Sequence, residues 1–407
     1  MTPSTLDSFP YDKVSGSIEK TVSSAPLPIF SDEAVSFLSA LSSEIMKDKS
    51  NRALPDLISF GYWCRRANIE RMSGRYDKSR PMTGRGIALH IPPANVPLNF
   101  AYSLAAGLLA GNSNIIRLSS TKSLEVDRCL GMIDLVLEQP DHARIRNMIC
   151  AVRYPHDDEV TQMLSRIADV RVIWGGDRTV ERIRAIPAKP RTVDVAFADR
   201  VSVSILHAAS VESLSENEMI ALAERFYADA FTFGQNACSS PRLVIWCGEP
   251  QCIEATEKRF WSALDAVVLR RGELEPIHVM NRLVELCENI VVSSQISGVD
   301  RTWASVVRIG LNDDNDWQSL SGLRFGTFSS ISIEKIEQIP NLLDDKVQTV
   351  GHAGFDKSHL DELASIIIPM GVDRLVPLGS ALEFDLVWDG YDLIGTLART
   401  VSVSGRR

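Results

Sequence analysis

The chain lacks long hydrophobic runs. Across 407 residues no apolar stretch approaches the ~18 residues that a membrane span requires. A charged start followed by an apolar core is also missing. The first thirty residues are polar and hold Asp7, Asp12, Lys13 and Glu19, so a secretory leader is not indicated. Basic clusters are absent: the formal net charge is −9 and the lysines and arginines are scattered, which argues against nucleic acid and for a small-molecule partner. Seven cysteines, at 64, 129, 150, 238, 247, 252 and 287, form neither a disulfide framework nor paired CxxC zinc ligands. The seven histidines are equally dispersed, with no HxxxH or HxE cluster to suggest a metal site. Together these absences predict a globular protein of a reducing cytoplasm, without a membrane span or a metal.

What is present is length and alternation. A chain of this size has material for two or three lobes. From about residue 85, short apolar runs (GIALHI, SNIIRL, RNMICAVRY, VRVIW, VSVSIL) alternate with stretches whose apolar residues fall at helical spacing, as in Leu124, Cys129, Met132, Ile133, Leu135 and Val136. Such alternation predicts right-handed βαβ units and a parallel sheet covered on both faces. Ser215 and Glu218 form a capping box that opens the helix ENEMIALAERFYADAF, and Gly234 suits its C-terminal cap. A second α/β unit follows to about residue 380. The first eighty residues are mostly helical by pattern, Gly74 to Gly86 suits a hairpin, and TLARTVSV near the end reads as an edge strand.

Four stretches carry chemistry. In FTFGQNACSSPRLVIW, Cys238 sits on a turn between a buried helix and a strand. Small neighbours there leave backbone N–H groups near the sulfur and space for a carbonyl, as a nucleophilic thiolate requires; the alternative is a buried structural thiol. In HIPPANVPLNF, Asn95 lies on a turn stiffened by Pro92, Pro93 and Pro97, and its amide can donate to an oxyanion; the plainer reading is an asparagine in a proline-rich turn. GNSNIIRLSS ends a strand with Arg117, Ser119 and Ser120, at the carboxyl edge where open α/β sheets bind ligands. VRVIWGGDRTVERI puts Gly175 and Gly176 between a strand and a helix, where phosphates can approach backbone amides, although a simple turn explains them equally.

In this order the four stretches resemble the aldehyde dehydrogenase superfamily across about residues 85 to 400. Asn95, Arg117, Gly176 and Cys238 fall on that family's oxyanion, ribose-contacting, phosphate-contacting and nucleophilic positions. A closer likeness lies within it. HIPPANVPLNFAYSLAAGLLAGNSNIIRLSS, NACSSPRLVIW, FGTF and the ending WDGYDLIGTLARTVSV are similar to the LuxC-type fatty acyl-CoA reductases, which make aldehyde from acyl thioester with NADPH. The resemblance implies an aldehyde dehydrogenase-like α/β fold: a Rossmann-type parallel-sheet cofactor domain within residues 1–208, a second α/β catalytic domain over 209–383, and a C-terminal segment, 384–407, with an oligomerisation strand. It also implies NADPH as cofactor, with Phe325 of FGTF among the cofactor contacts, and an acyl-CoA or acyl-carrier thioester as substrate. A homo-oligomer and an acyl-activating synthetase partner are implied as well.

The departures from hydrolytic aldehyde dehydrogenases point the same way. Where those enzymes hold an ELGGK-like segment whose Glu activates water, this chain reads VDVAFADRVSVSIL, and their ribose-contacting Glu corresponds to Leu323. An acyl-enzyme without such a base persists until a thiol or hydride attacks, as a reductase needs, unless Asp194, Asp199 or Glu212 substitutes. The predicted activity is therefore reduction of a long-chain acyl thioester to aldehyde through a Cys238 acyl-enzyme. The rivals are an oxidative aldehyde dehydrogenase, a non-redox cysteine acyltransferase or thioesterase, and a catalytically idle subunit. Nucleotide preference follows from IIRLSS: Ser120 stands where NAD-using relatives often carry glutamate, and Arg117 offers a cation to a 2′-phosphate.

Overall fold

A computed structural model describes residues 11–77, 79–272, 275–292, 296–311, 314–320 and 322–402. The described residues form two compact units, one running up to Ala198 and resuming at Phe384, the other spanning Asp199–Glu383.

In the first unit the strands are β1 (Asp12–Gly16), β2 (Met82–Gly84), β3 (Ile87–Ile91), β4 (Ser113–Leu118), β5 (Ile149–Arg153), β6 (Val170–Trp174) and β7 (Val193–Phe197). All but β2 join one sheet in the order β1-β5-β4-β3-β6-β7. Its pairs are parallel except that β1 runs antiparallel on β5. The expected alternation is therefore present. Helices Asn99–Leu109, Leu124–Leu137, Asp158–Ile167 and Asp177–Ala185 fill the crossovers. They bury both faces, which is why IALHI and VRVIW are apolar almost throughout. Chain order reverses at β3 and β6, so the turns leaving these two strands flank the switch point where open sheets take ligands.

The second unit repeats the plan with β8 (Val201–His207), β9 (Pro241–Cys247), β10 (Ile296–Asp300), β11 (Val307–Leu311), β12 (Thr327–Ile333), β13 (Val347–Ala353) and β14 (Arg374–Pro377). The order is β10-β11-β12-β9-β8-β13-β14, parallel apart from the β10 edge. The helix Glu216–Phe231 begins at the Ser215–Glu218 capping box, with both reciprocal bonds formed. Its C-cap is Thr232 in a right-handed conformation rather than Gly234, which instead opens the left-handed turn beyond, with φ 54°.

At the C-terminal end, β15 (Val387–Trp388) and β16 (Tyr391–Asp392) are joined by Asp389 and Gly390 at φ 50° and 76°. Two positive φ values are what a tight hairpin needs, and Asp-Gly supplies them. The helix Leu393–Leu397 and the strand β17 (Ala398–Thr400) follow. Two expectations change here. TLARTVSV is not one strand: buried Leu397 closes a helix, only Ala398–Thr400 is extended, and Val403 lies outside the described residues. Gly74 to Gly86 is not a hairpin either, because β2 pairs antiparallel with β17. Alternation in a sequence marks a strand but does not name its partner. Among the described residues no helix is long and apolar enough to cross a membrane.

Candidate active site

The turn leaving β3 carries Asn95, which is exposed. The strand before it and the helix after it share a buried polar chain with one direction. Trp174 Nε1 donates to Ser103 Oγ at 3.3 Å, Ser103 Oγ meets His90 Nδ1 at 2.7 Å, and His90 Nε2 meets Asn114 Oδ1 at 2.9 Å. Asn114 Nδ2 then donates to the Asn112 carbonyl at 2.7 Å. With the amide oxygen turned to the ring, Nε2 carries the proton and Nδ1 accepts from Ser103. Burial pushes His90 down to about 4, so the ring is neutral. The chain ties β3, β4, β6 and the helix after the Asn95 turn. Gly107 makes it fit: a Cβ there would lie 2.0 Å from Asn114 Oδ1.

Arg117, near the end of β4, donates to the Tyr154 carbonyl at 3.3 Å and lies over the Tyr154 ring, 5.4 Å from its centroid. Ser120 Oγ donates to the same carbonyl at 3.4 Å, whereas Ser119 Oγ accepts from the Thr121 amide at 3.1 Å. Burial holds Arg117 below its ordinary range, and the charge of Arg182 on the helix Asp177–Ala185 lowers it further. Arg182 is itself paired with Asp158, its Nε and Nη2 donating to Asp158 Oδ1 at 2.9 and 2.6 Å, so Arg117 is the guanidinium at this edge that can favour an anion. Gly176 is the N-cap of that helix, and Gly175 donates to the Phe197 carbonyl at 3.1 Å. Asp177 stands in the first turn, so a phosphate at this N-terminus meets a carboxylate along with the helix dipole. The donor set fits a phosphorylated ribose at Arg117 better than a pyrophosphate at Gly176.

Two of the candidate water-activating groups are engaged elsewhere. Asp194 takes both prongs of buried Arg171, with each N–O distance 2.7 Å, and Arg171 also donates to the carbonyls of Ile183 and Ile186. Glu212 accepts from Cys252 Sγ at 3.2 Å. Leu323 is buried and offers no polar group.

The half-buried Cys238 lies in the second unit, on the loop between Phe231 and β9. Gln235, buried and left-handed at φ 64°, fastens that loop. Its Nε2 donates to the Pro241 carbonyl at 2.9 Å and to the Thr327 carbonyl at 3.0 Å, and its Oε1 accepts from the Gly326 amide at 2.9 Å. Ser202 Oγ donates to the Cys238 carbonyl at 2.7 Å, and Ser240 Oγ to the Asp229 carbonyl at 2.8 Å. Phe325, also left-handed at φ 58°, is buried against His278, with ring centroids 4.9 Å apart. It sits beside the cysteine loop, near Gly234.

Guanidinium groups back the loop. Arg324 donates to Asn236 Oδ1 at 2.7 Å and pairs with Glu285, while Arg242 donates to the Leu323 carbonyl at 2.9 Å. Burial, and after it the charge of Arg324, pull Arg242 down to about 10, while Glu285 and Cys238 act the other way. Arg242 thus interacts electrostatically with Cys238, and a guanidinium near a cysteine favours its thiolate. The buried cysteines differ: burial pushes Cys129 and Cys150 up to about 12 and Cys64 well above its ordinary value, and it raises Cys247 too.

Asn95, Arg117, Ser119, Ser120, Gly175 and Gly176 therefore belong to the first unit, and Cys238 and Phe325 to the second. Reading the sequence missed Gln235, Arg242, Arg324, Glu285, His90 and Arg171. Gln235 and Arg242 flank the cysteine, yet a polar residue in a loop gives no local sign that it is buried. Arg324 and Glu285 are far away in the chain.

Residues 27–277, well over half of the chain, match the family described as Acyl-CoA reductase (LuxC). Similar curated proteins include the long-chain acyl-protein thioester reductase of Aliivibrio fischeri, 28% identical over 190 residues, a stretch covering 45% of this chain and 36% of that protein. The Vibrio harveyi protein of the same description is 28% identical over 171 residues, 40% of this chain and 33% of its own length. The chain thus spans about a third of the length of the curated relatives it matches. Among solved structures, lactaldehyde dehydrogenase from Escherichia coli superposes with a TM-score of 0.65 at 12% identity, covering 91% of this chain and 86% of that one. Indole-3-acetaldehyde dehydrogenase in complex with NAD+ gives 0.67 at 11% identity, covering 91% and 83%. The fold is that of the aldehyde dehydrogenases, and the chain belongs to the LuxC acyl-CoA reductase family.

Proposed function

We propose that this protein reduces a long-chain acyl thioester, carried on CoA or on a protein, to the free aldehyde, using NADPH in a reducing cytoplasm. The observation that carries the reading is the cysteine loop: Cys238 sits half-buried on a turn fastened by Gln235 and Ser202 and backed by Arg242 and Arg324. The Cys238 thiolate attacks the thioester carbonyl and forms a new C–S bond. The oxyanion is held by the Cys238 N–H, with the Asn95 amide as the second donor that the family resemblance implies; the carrier thiolate leaves, and it takes a proton from solvent. NADPH, when bound, supplies a hydride to the acyl carbon. The resulting thiohemiacetal oxyanion collapses, the C–S bond breaks, and Cys238 returns as thiolate beside Arg242. Arg117 reads the 2′-phosphate.

Of the three carboxylates considered for activating water, two are engaged, Asp194 by Arg171 and Glu212 by Cys252, and position 323 is leucine. This favours reduction over oxidative hydrolysis. Mixing the protein with acyl-CoA alone and analysing its peptides by mass spectrometry should find the acyl group on Cys238. Adding NADPH should then consume nicotinamide absorbance and release aldehyde, and Cys238→Ala should lose at least roughly 1,000-fold in rate. Full activity in Cys238→Ala, or aldehyde-driven reduction of NADP without CoA as the dominant reaction, would overturn the reading. For the cofactor, Arg117→Ala should weaken NADPH binding by about 10-fold or more and leave NADH binding nearly unchanged, read by nicotinamide fluorescence.

A further inference from the structure

The carboxyl ends of β4 and β5 are cross-braced. Arg117 on β4 reaches over to the Tyr154 carbonyl just beyond β5 at 3.3 Å. Arg153, the last residue of β5, reaches back: its Nε donates to the Ser119 carbonyl just beyond β4 at 3.0 Å. The register sets Arg153 beside Leu118 and Arg117 beside Val152, so the two side chains leave the sheet on opposite faces. Arg117 lies on the Tyr154 side, and Arg153 on the side of the helix Leu124–Leu137, where Asp127 Oδ1 is 3.5 Å from its Nη2.

Arg153 is not an ordinary surface ion pair. Its side chain is 16% exposed against 52% for Asp127, and its Nη2 is buried without a hydrogen bond among the described residues. A buried donor without an acceptor lowers stability, which points to a role elsewhere. The bond that Arg153 does make goes to the turn carrying Ser119 and Ser120. Of the three side-chain bonds that cross these strand ends, the other two, from Arg117 and Ser120 Oγ, are longer at 3.3 and 3.4 Å and both end on the Tyr154 carbonyl. Arg153 alone among them grips the backbone of the turn.

Charge acts in the same place. Glu125 and Asp127 stand in the first turn of the next helix, and carboxylates near the end of β4 repel a nucleotide phosphate. Arg153 lies against one of them. Arg182, the other guanidinium near Arg117, is already held by Asp158.

We propose that Arg153 is a positioning residue for the 2′-phosphate of the nucleotide: it holds the Ser119 carbonyl and offsets Asp127, and so fixes the turn on which Ser120 and Arg117 meet that phosphate together. This rests on the NADPH reading and extends it from the group that contacts the phosphate to the group that sets the turn.

Dissociation constants of NADPH and NADH for the full chain, read by nicotinamide fluorescence, test this without turnover. Arg153→Met keeps an apolar stem and removes the donor and the charge. It should weaken NADPH binding by about 10-fold and leave NADH binding nearly unchanged. Arg153→Lys retains one charge and a donor and should recover much of the NADPH affinity; it also serves as the probe if the Met variant folds poorly, in which case a preference as large as that of wild type in Arg153→Asn overturns the proposal. A wild-type preference for NADPH that survives Arg153→Met defeats this proposal alone. Equal weakening of both nucleotides defeats it too and makes Arg153 a structural residue. A wild type with no preference for NADPH defeats the cofactor reading, and this proposal with it.

Discussion

The turn that carries Asn95 leads from an apolar strand into a helix, the loop that carries Cys238 leads from a helix into an apolar strand, and the two are stiffened by different means. Around Asn95 the restraint is covalent: Pro92, Pro93 and Pro97 fix φ within the turn itself, and the neutral His90 chain ties the strand before it to the helix after it. Around Cys238 the restraint is borrowed. Gly234 and Gln235 take left-handed conformations, and Gln235 makes three hydrogen bonds to backbone groups as far away as Thr327. A ring-restrained turn spreads its rigidity over several residues, whereas a side-chain bolt concentrates it in one.

The sharpest way to test the two settings is to remove the exposed amide. Asn95→Ala should lower turnover by roughly 100-fold with the melting temperature unchanged, the typical loss for one oxyanion donor. An unaltered rate would reduce Asn95 to a turn residue. Gln235→Ala probes the bolt and should act on stability. It strands the Gly326 amide and two buried carbonyls, at a cost of about 3 kcal/mol, read as a lower urea midpoint. Pro97→Ala, its counterpart in the other turn, should cost less than about 1 kcal/mol. Equal losses would erase the contrast.

The buried His90 chain gives a smaller, pH-dependent effect. His90 is neutral in the native state with its pKa lowered from 6.5 to about 4, so the unfolded chain takes up the proton first. From His90 alone, stability should be level above about pH 6.5 and decline as pH falls toward 4, by about 2 kcal/mol at pH 4.5. Urea titrations at pH 7 and 4.5 measure this, and His90→Gln should flatten the difference. A variant that keeps the full slope would assign it to other groups.

Much of the site could be read from local text. HIPPAN places an asparagine in a proline turn, the Ser215–Glu218 box starts the helix before the cysteine, and Asp389-Gly390 makes the hairpin between Trp388 and Tyr391. Each is settled by neighbours within a few residues. Arg171 was not legible, since an arginine inside VRVIW looks like a strand residue, and only the packed unit brings Asp194 to it.

By itself the sequence determined the strand-helix alternation, the two turns and the capping box, because propensity, capping and turn conformation act over one or two turns of chain. Tertiary structure alone decided that β2 pairs with β17, that Gln235 reaches Thr327 and that Arg242 and Arg324 gather behind Cys238. These contacts join residues far apart in the chain, and no local energy selects them. Pro276–Val292 shows the boundary between the two. The three-four spacing of Ile277, Met280, Val284 and Cys287 is legible as an apolar face, but a periodicity does not say which face turns inward. That was decided by Arg324, the Ser305 carbonyl and the apolar cluster that takes in Leu286, which held one side of the helix and left Ile277, Met280, Val284 and Cys287 to solvent.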